Sequence, residues 1–230
     1  MRNESVLAVI TARGGSKRVL QKNLQKIGNE TLIHRAVNAS ILSKCVDKIV
    51  LSSDCPLIIN EAKKYGCDTP FIRPQELATD KARSEDVLEH AIRNVPGFDW
   101  VLLIQPTSPF RTAEDIDTAF SIVKKTNRPS CVGVLRMNLQ RSYKKYHLFN
   151  GDVFNSATQQ QCRSRNDSTV KFALNGAIYL TKISCFLQTK KLVNAETIGV
   201  EMSEIKSIDI DTYEDMKLAK VLAEKEFKIK

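Results

Sequence analysis

The strongest constraint on the fold is a short apolar run followed at once by a loop rich in glycine and cations. Residues 6–10 read VLAVI, as expected for a buried strand, and residues 13–18 read RGGSKR, with KN at 22–23. Paired glycines let a backbone turn sharply and expose its amides, which is what phosphate oxygens require. Four cations, Arg13, Lys17, Arg18 and Lys22, lie within ten residues. We therefore predict a triphosphate-binding loop.

The spacing of this loop differs from both common phosphate-binding patterns. The chain has no Gly-x-x-x-x-Gly-Lys-Ser/Thr sequence, and it has no Gly-x-Gly-x-x-Gly sequence, which argues against NAD or FAD chemistry. A plain surface turn with solvated charges is the simpler alternative. The apolar run before the loop and Lys22 and Asn23 after it speak against that alternative.

The order of elements along the first half predicts an α/β fold. After the loop we expect strands at 46–52 and 100–104 and helices at 56–65 and 84–94. Thr31 and Thr112 are suited to begin two further helices, because a threonine hydroxyl can accept a bond from a free helical amide. Such alternation produces a Rossmann-like, mostly parallel sheet with helices on its faces. Ligands bind beyond the carboxyl ends of such strands, so the turn at 105–111 should lie near the glycine loop.

The second half predicts strands at 130–136 and 175–180, a strand or strand end at 207–212, and a helix over about 212–227. Residues 138–170 lose clear periodicity and carry many basic and amide side chains. That length is unusual for a loop within a compact domain and indicates a functional or oligomeric excursion. We therefore predict one domain over 1–230 with an excursion at 138–170.

Charge and cysteine content exclude several classes of protein. The net charge of +9 is unevenly spread, with nine basic and two acidic residues in 121–170. A nucleic-acid-binding module could look like this, but no RNA-recognition, KH or helix-turn-helix signature is present and aromatics are only 7%. Six scattered cysteines without a Cys-x-x-Cys pair and three histidines without ligand spacing argue against zinc and a disulfide scaffold. No apolar run approaches a membrane span or a signal-peptide core, so a cytoplasmic protein without a membrane partner is expected.

Seven segments, in order, resemble the CMP-sialic acid synthetases, or acylneuraminate cytidylyltransferases, including relatives that act on legionaminic or pseudaminic acid. They are ARGGSK (12–17), KNL (22–24), SSD (52–54), RPQELA (73–78), LIQPTSP (103–109), NGAIY (175–179) and IDIDT (208–212). The resemblance implies a nucleotidyltransferase-type fold. It also implies that CTP and a nine-carbon 2-keto sugar acid react to give the CMP-sugar and pyrophosphate, with Mg²⁺ as cofactor.

The resemblance also implies roles for individual residues. Lys22, Arg13 and Asp211 are expected to be catalytic. The expected nucleotide contacts are Arg13, Gly14, Gly15, Ser16, Lys22, Asn23, Arg73 and Ser84. The expected sugar contacts are Gln105, Thr107, Ser108, Lys144, Arg165 and Asn175, with Lys144 and Arg165 reaching the neighbouring subunit of a homodimer.

Asp209 and Asp211 are predicted to bind the Mg²⁺ ion. Side chains two residues apart on a strand project from the same face, with Cα atoms about 7 Å apart. Carboxylate oxygens suit Mg²⁺, which takes one or two of them together with phosphate oxygens. The alternative is that Asp211 caps the helix that begins near Thr212.

Departures from the family pattern bear on the acceptor. Ala173 stands where the family often has arginine, and Arg18 and Gln21 replace residues that are frequently glycine or arginine. Loss of a guanidinium removes a bidentate carboxylate partner, which leaves the identity of the sugar open. A cytidylyltransferase for the eight-carbon Kdo sugar is the nearest alternative, although such enzymes typically lack the QPTSP turn. A non-enzymatic protein that keeps the fold is opposed by Lys22, Asp209 and Asp211.

Overall fold

The computed structural model describes residues 4–137, 147–150, 153–155 and 171–228. The strands are β1 Val6–Thr11, β2 Lys26–Ile27, β3 Glu30–Thr31, β4 Lys48–Ser52, β5 Trp100–Ile104, β6 Ser130–Arg136, β7 His147–Asn150, β8 Val153–Asn155, β9 Lys171–Lys182 and β10 Thr197–Glu201. The helices are α1 Leu32–Ile41, α2 Pro56–Lys64, α3 Ser84–Asn94, α4 Ala113–Thr126, α5 Ile183–Thr189 and α6 Tyr213–Lys228, and short 3-10 helices cover Lys22–Leu24 and Gln75–Leu77.

The main sheet has the strand order β10-β6-β9-β5-β1-β4. Strand β1 is parallel to both β4 and β5, and β10 is parallel to β6. Strand β9 runs antiparallel to β5 and β6 and joins the two parallel groups. The predicted α/β fold with a mostly parallel sheet is therefore confirmed, with β9 as the strand that reverses direction.

Helices cover both faces of the sheet because β1 is apolar on both sides. Ala8 and Ile10 pack in one core cluster with residues of α1, α2 and α4. Leu7 and Val9 pack in a second cluster with residues of α3 and with Phe186 of α5. An unbroken apolar run, rather than an alternating one, is what a strand buried on both faces requires.

Two helices begin at the threonines that the sequence singled out. The Thr31 hydroxyl accepts a hydrogen bond from the His34 amide at 3.1 Å. Thr112 and Asp115 form a reciprocal capping box at the start of α4. Helix α3 and strands β5 and β6 have the predicted bounds, whereas α5 and β10 were not predicted.

The predicted strand at 207–212 is wrong. Residues 204–207 form a turn, and the following extended segment makes one backbone bond to a neighbour, from the Ile210 amide to the Thr107 carbonyl at 2.8 Å. Ile210 is fully buried in a cluster with Val19, Leu32 and Met216. The alternation of apolar and acidic residues thus reflects an extended segment with one buried side, without the ladder bonds of a strand.

Most of the predicted excursion at 138–170 lies outside the described residues. Strands β7 and β8 within it pair with each other, and β7 also pairs with β9 through His147 and Leu148. In the described part of the chain, no helix is long and apolar enough to cross a membrane.

Candidate active site

A cleft of about 560 Å³ opens at the carboxyl ends of β1 and β5. The residues that line it are Thr11, Arg13, Ser16, Lys17, Arg18, Val19, Lys22, Asn23, Arg73, Leu77, Thr79, Asp80, Ala82, Ser84, Val87, Gln105, Pro106, Thr107 and Asp211. Because β1, β4 and β5 are parallel, the loops that follow them meet at the same edge of the sheet. This is the position that the sequence predicted for a ligand site.

The cleft brings together nine of the predicted site residues: Arg13, Ser16, Lys22, Asn23, Arg73, Ser84, Gln105, Thr107 and Asp211. Five others lie outside its lining, namely Gly14, Gly15, Ser108, Asn175 and Asp209. Lys144 and Arg165 lie outside the described residues.

The two glycines of the loop differ in their surroundings. A Cβ atom added to Gly14 would lie 2.8 Å from Cβ of Cys55, so only glycine allows the loop to pack this closely against the residues after β4. The Gly14 amide donates a 2.9 Å hydrogen bond to Asp54 Oδ1, which means that this amide is already occupied. Gly15 has open space around the same position. Of the paired amides expected to face phosphate, the one at Gly14 is therefore committed to Asp54.

The backbone before Lys22 is strained. Gln21 adopts a left-handed conformation with φ 49° and ψ 38°, which glycine adopts freely and glutamine does not. Asn23 is buried, and its side-chain amide donates to the Arg13 carbonyl at 3.1 Å. The short helix that carries Lys22 is thus tied to the glycine loop from one side.

Lys22 is joined to the segment after the turn at 204–207. Its Nζ donates to the Ile210 carbonyl at 2.7 Å and to Asp211 Oδ1 at 3.2 Å, and its side chain is only 16% exposed. Asp211 also pairs with Arg18 at 3.7 Å. Asp211 does not cap α6, since the Thr212 hydroxyl accepts from the Asp215 amide and the Asp215 carboxylate accepts from the Thr212 amide. The alternative assignment of Asp211 as a helix cap is therefore wrong.

A second aspartate, Asp80, pairs with the other two cations of the loop. Its carboxylate contacts Arg13 Nη2 at 2.5 Å and Lys17 Nζ at 2.6 Å. Hydrogen bonds from Lys17, which has the larger effect, and from Arg13 keep the pKa of the Asp80 carboxyl below its usual value. The four loop cations are therefore divided into two pairs, each with one bridging aspartate. Sequence analysis missed Asp80, because it lies 67 residues from Arg13 and belongs to a segment of loop-like composition.

Arg73 donates hydrogen bonds to Ser52, the last residue of β4. It is 5% exposed, and it donates from Nε to Ser52 Oγ at 3.0 Å and from Nη2 to the Ser52 carbonyl at 2.6 Å. Burial lowers the pKa of Arg73 to about 10. Ser84 is the first residue of α3 and lines the cleft, so the cleft lies beside the amino-terminal end of this helix.

The turn after β5 forms the opposite wall of the cleft. Gln105 and Thr107 line the cleft, whereas Ser108 is buried and its hydroxyl has no hydrogen-bond partner among the described residues. Asn175 is also buried, accepting from the Ala177 amide at 3.0 Å and donating to Ser207 Oγ at 3.1 Å. Asn175 therefore links β9 to the segment that leads to the two predicted metal ligands.

Asp209 lies beside Asp211 without lining the cleft. Its side chain is exposed to solvent on one side, but the surrounding protein and the carboxylates of Asp211 and Asp215 raise its pKa, against the lowering effect of a hydrogen bond with Thr107. Among the described residues no group of three or more acidic, histidine or cysteine side chains could hold a metal. Two neighbouring carboxylates still match Mg²⁺, which completes its coordination with phosphate oxygens and water.

Comparison with known proteins assigns the family. The profile of the cytidylyltransferase family matches residues 7–227. The chain is 34% identical to CMP-N,N'-diacetyllegionaminic acid synthase of Legionella pneumophila, over 95% of this chain and 96% of that protein. It is 26% identical to pseudaminic acid cytidylyltransferase of Campylobacter jejuni, over 94% and 95% of the two chains. It is 28% identical to N-acylneuraminate cytidylyltransferase of Escherichia coli O18:K1:H7, over 96% of this chain but only 52% of that protein.

Solved structures show the same fold at lower sequence identity. A CMP:2-keto-3-deoxy-manno-octonic acid synthetase complexed with CTP superposes with a TM-score of 0.75 at 15% identity, over 97% of this chain and all of that one. A 4-diphosphocytidyl-2C-methyl-D-erythritol synthase from Anaerococcus prevotii has a TM-score of 0.60 at 15% identity, over 96% and 97% of the two chains. The resemblance drawn from the seven segments is confirmed by matches along nearly the whole sequence, and the chain belongs to the cytidylyltransferase family.

Proposed function

We propose that this chain transfers the cytidylyl group of CTP to a nine-carbon 2-keto sugar acid and releases pyrophosphate. The proposal rests on one observation. The four cations of the glycine loop line one wall of the cleft, and the turn that contains Gln105 lines the opposite wall. The cationic wall suits a polyanion such as a triphosphate, and the opposite wall is free to hold the acceptor. The reaction forms a bond between the anomeric hydroxyl oxygen and the α-phosphorus, breaks the bond to the β-phosphate, and releases the hydroxyl proton.

The nucleotide side of the cleft is assigned to the glycine loop and its supports. Arg13, Ser16 and Lys22 would contact the triphosphate, and Lys22 is poised for this because Ile210 and Asp211 already hold its amine in the cleft. Asn23, Arg73 and Ser84 would lie along the nucleoside. Arg73 would act there largely through Ser52, since both donated bonds of its guanidinium go to that residue.

The acceptor side is assigned to Gln105 and Thr107 in the turn after β5. Ser108 and Asn175 would act by shaping this wall, because both are buried. Lys144 and Arg165 of a homodimer formed through residues 138–170 would add positive charge near the sugar carboxylate. Sedimentation of the purified protein tests for the homodimer. The KM values of Arg165→Ala for CTP and for the sugar acid test whether Arg165 acts on the sugar.

Mg²⁺ is the cofactor that the donor set of this site suits best. Asp211 and Asp209 would hold it, and the repulsion between their carboxylates favours a cation between them. When bound, Mg²⁺ neutralises charge on the departing pyrophosphate. The protein's own contribution is to keep Lys22 and Asp211 together at the place where that charge develops.

The proposal predicts pyrophosphate release that depends on CTP, a sugar acid and Mg²⁺. N,N'-diacetyllegionaminic acid is the first acceptor to test, given the Legionella relative, with pseudaminic acid, N-acetylneuraminic acid and Kdo beside it. We expect turnover with at least one nine-carbon acid and weak or no turnover when ATP, GTP or UTP replaces CTP. Preference for Kdo would favour the eight-carbon alternative, and no pyrophosphate release with any acceptor would refute the proposed function.

Asp80→Asn is expected to tighten CTP binding about two- to fivefold at low salt, the range typical of an exposed ion pair. The Asp80 carboxylate occupies Arg13 and Lys17, so CTP must compete with it for both cations. Calorimetric titration with CTP alone, at low and high salt, measures this effect. Asp86→Asn removes the same charge from an exposed position on α3 outside the cleft lining and serves as the control. Weaker binding by Asp80→Asn would show that Asp80 holds the cations in place for CTP rather than competing with it.

A further inference from the structure

Arg111 is a buried arginine that donates hydrogen bonds to backbone carbonyls. It lies between the turn after β5 and the start of α4 and is 4% exposed. Its Nη1 donates to the carbonyl oxygens of Gln105 at 3.2 Å, Ser108 at 3.4 Å and Ala177 at 3.1 Å. One guanidinium nitrogen thus connects both ends of the turn with β9.

Within the described part of the chain, no carboxylate forms an ion pair with Arg111. Asp115 raises the pKa of Arg111 against the larger effect of burial, but it forms no ion pair with Arg111 and instead pairs with Lys206 at 2.7 Å. Burial lowers the pKa of Arg111 to about 10. A buried charge without a charged partner is costly, and an apolar side chain of similar volume would normally stabilise a core better. Stability alone is therefore a poor explanation for an arginine at this position.

The turn that Arg111 holds forms one wall of the cleft and is joined through Ile210 to Lys22 on the other wall. Thr107 in this turn accepts the Ile210 amide at 2.8 Å, and the Ile210 carbonyl accepts from Lys22 Nζ at 2.7 Å. A shift of the turn would therefore move Gln105 directly. It would displace Lys22 only indirectly, through the two hydrogen bonds made by Ile210.

β9 restrains the same turn from the other side. Gly176 has φ of +76°, and a Cβ atom added to it would lie 3.2 Å from Gln105 Oε1. The next residue, Ala177, supplies one of the three carbonyls bound by Arg111. The Gln105 side chain is thus confined between Gly176 and a turn that Arg111 keeps in place.

We propose that Arg111 is a positioning residue that fixes the 105–108 turn so that Gln105 meets the acceptor sugar acid. The proposal rests on the function proposed above for the cleft. It assigns to Arg111 an effect on the acceptor step and only a small effect on CTP binding, although Arg111 is buried and does not line the cleft.

The test compares Arg111→Met and Arg111→Lys with the wild type. Met removes all three bonds, and we expect at least a tenfold rise in KM for the sugar acid with less than a twofold change in the CTP Kd measured without sugar. Lys keeps a charge and donors on a shorter chain, so its KM should fall between those of Met and the wild type. Arg35→Met is the control, because Arg35 is also largely buried near this turn but contacts only its far end, the Pro109 carbonyl at 3.5 Å and the Phe110 ring, and none of residues 105–108 by hydrogen bond.

A second measurement does not depend on activity. Hydrogen exchange should become faster in peptides that cover 103–111 and 207–212 of Arg111→Met, while peptides that cover 13–24 keep their wild-type rates. If Met prevents folding, Arg111→Lys carries both measurements. Equal changes for both substrates, or a loss of thermal stability with unchanged KM and exchange, would overturn the proposal. A wild type that is inactive with every acceptor while exchange in 103–111 still increases would instead refute the proposed function and leave the positioning role intact.

Discussion

Lys22→Ala should lower kcat/KM with CTP and the preferred sugar acid by about 100- to 1000-fold. Loss of a preorganised donor to charge that develops in the transition state has this typical cost, about 3–4 kcal/mol. Lys22 fits such a role because it is the least exposed of the four loop cations that form ion pairs in the cleft, at 16% against 33%, 73% and 79% for Arg13, Arg18 and Lys17. Its amine is also fixed by two oxygen acceptors before any substrate arrives.

Lys26→Ala is the matched control for this substitution. Lys26 is exposed on β2, four residues further along the chain, and lies outside the cleft lining. Its removal should leave kcat/KM within about twofold of wild type, as for most exposed positions away from a site. Steady-state pyrophosphate release and thermal unfolding of both variants separate catalysis from folding. Near wild-type turnover of Lys22→Ala would show that the lysine has no part in the reaction.

The fold was predictable where local pattern and burial agree. The VLAVI run, the apolar strand at Trp100–Ile104 and the helix at Ser84–Asn94 each carry a pattern that a parallel sheet or its covering helices require. The error at 207–212 has the opposite origin. Ile210 is buried by packing against α6 and Val19, so the same alternation arises without a neighbouring strand. Side-chain period reports which face is buried, and it does not report hydrogen-bond partners.

The site was predictable where its residues share a short segment. The glycine loop, Lys22 and Asn23 lie within one stretch, and all belong to a recognisable motif. Asp80 and Arg111 were missed because their roles depend on partners far along the chain: Asp80 meets Arg13 across 67 residues, and Arg111 meets Ala177 across 66. A charged residue in an unremarkable loop gives no sequence signal for such contacts.

The pairing of four cations with two aspartates suggests how the cleft handles a polyanion. Asp80 holds Arg13 and Lys17, and Asp211 holds Lys22 and Arg18. Without such partners, four cations around one loop would repel each other and raise the energy of the ligand-free state. The two aspartates differ in surroundings, since Asp211 lies close enough to a second carboxylate, that of Asp209, to contribute to the raised pKa of Asp209. That difference is why we assign competition with CTP to Asp80 and metal binding to Asp211.

Asp209→Asn and Asp211→Asn test this metal assignment and should each reduce turnover at least 100-fold at ordinary Mg²⁺ concentration. The amide keeps the size of the side chain but removes the charge that a hard cation requires. Because Thr212 and Asp215 make the cap of α6, Asp211→Asn should leave thermal stability nearly unchanged.

Asp215→Asn supplies the contrast. It removes an equal charge four residues from Asp211 and weakens the cap, which should lower stability by about 1 kcal/mol without raising the Mg²⁺ concentration needed for half-maximal activity. Activity titrated against Mg²⁺ for the three variants, with unfolding curves recorded in parallel, distinguishes a ligand from a cap. If a substitution weakens metal binding without abolishing it, half-maximal activity will require a higher Mg²⁺ concentration, and excess Mg²⁺ will restore activity. Full activity of Asp209→Asn at ordinary Mg²⁺ would end the assignment of Asp209 as a ligand. Asp211 lines the cleft and Asp209 does not, so Asp211 would then remain the sole protein carboxylate proposed for the metal.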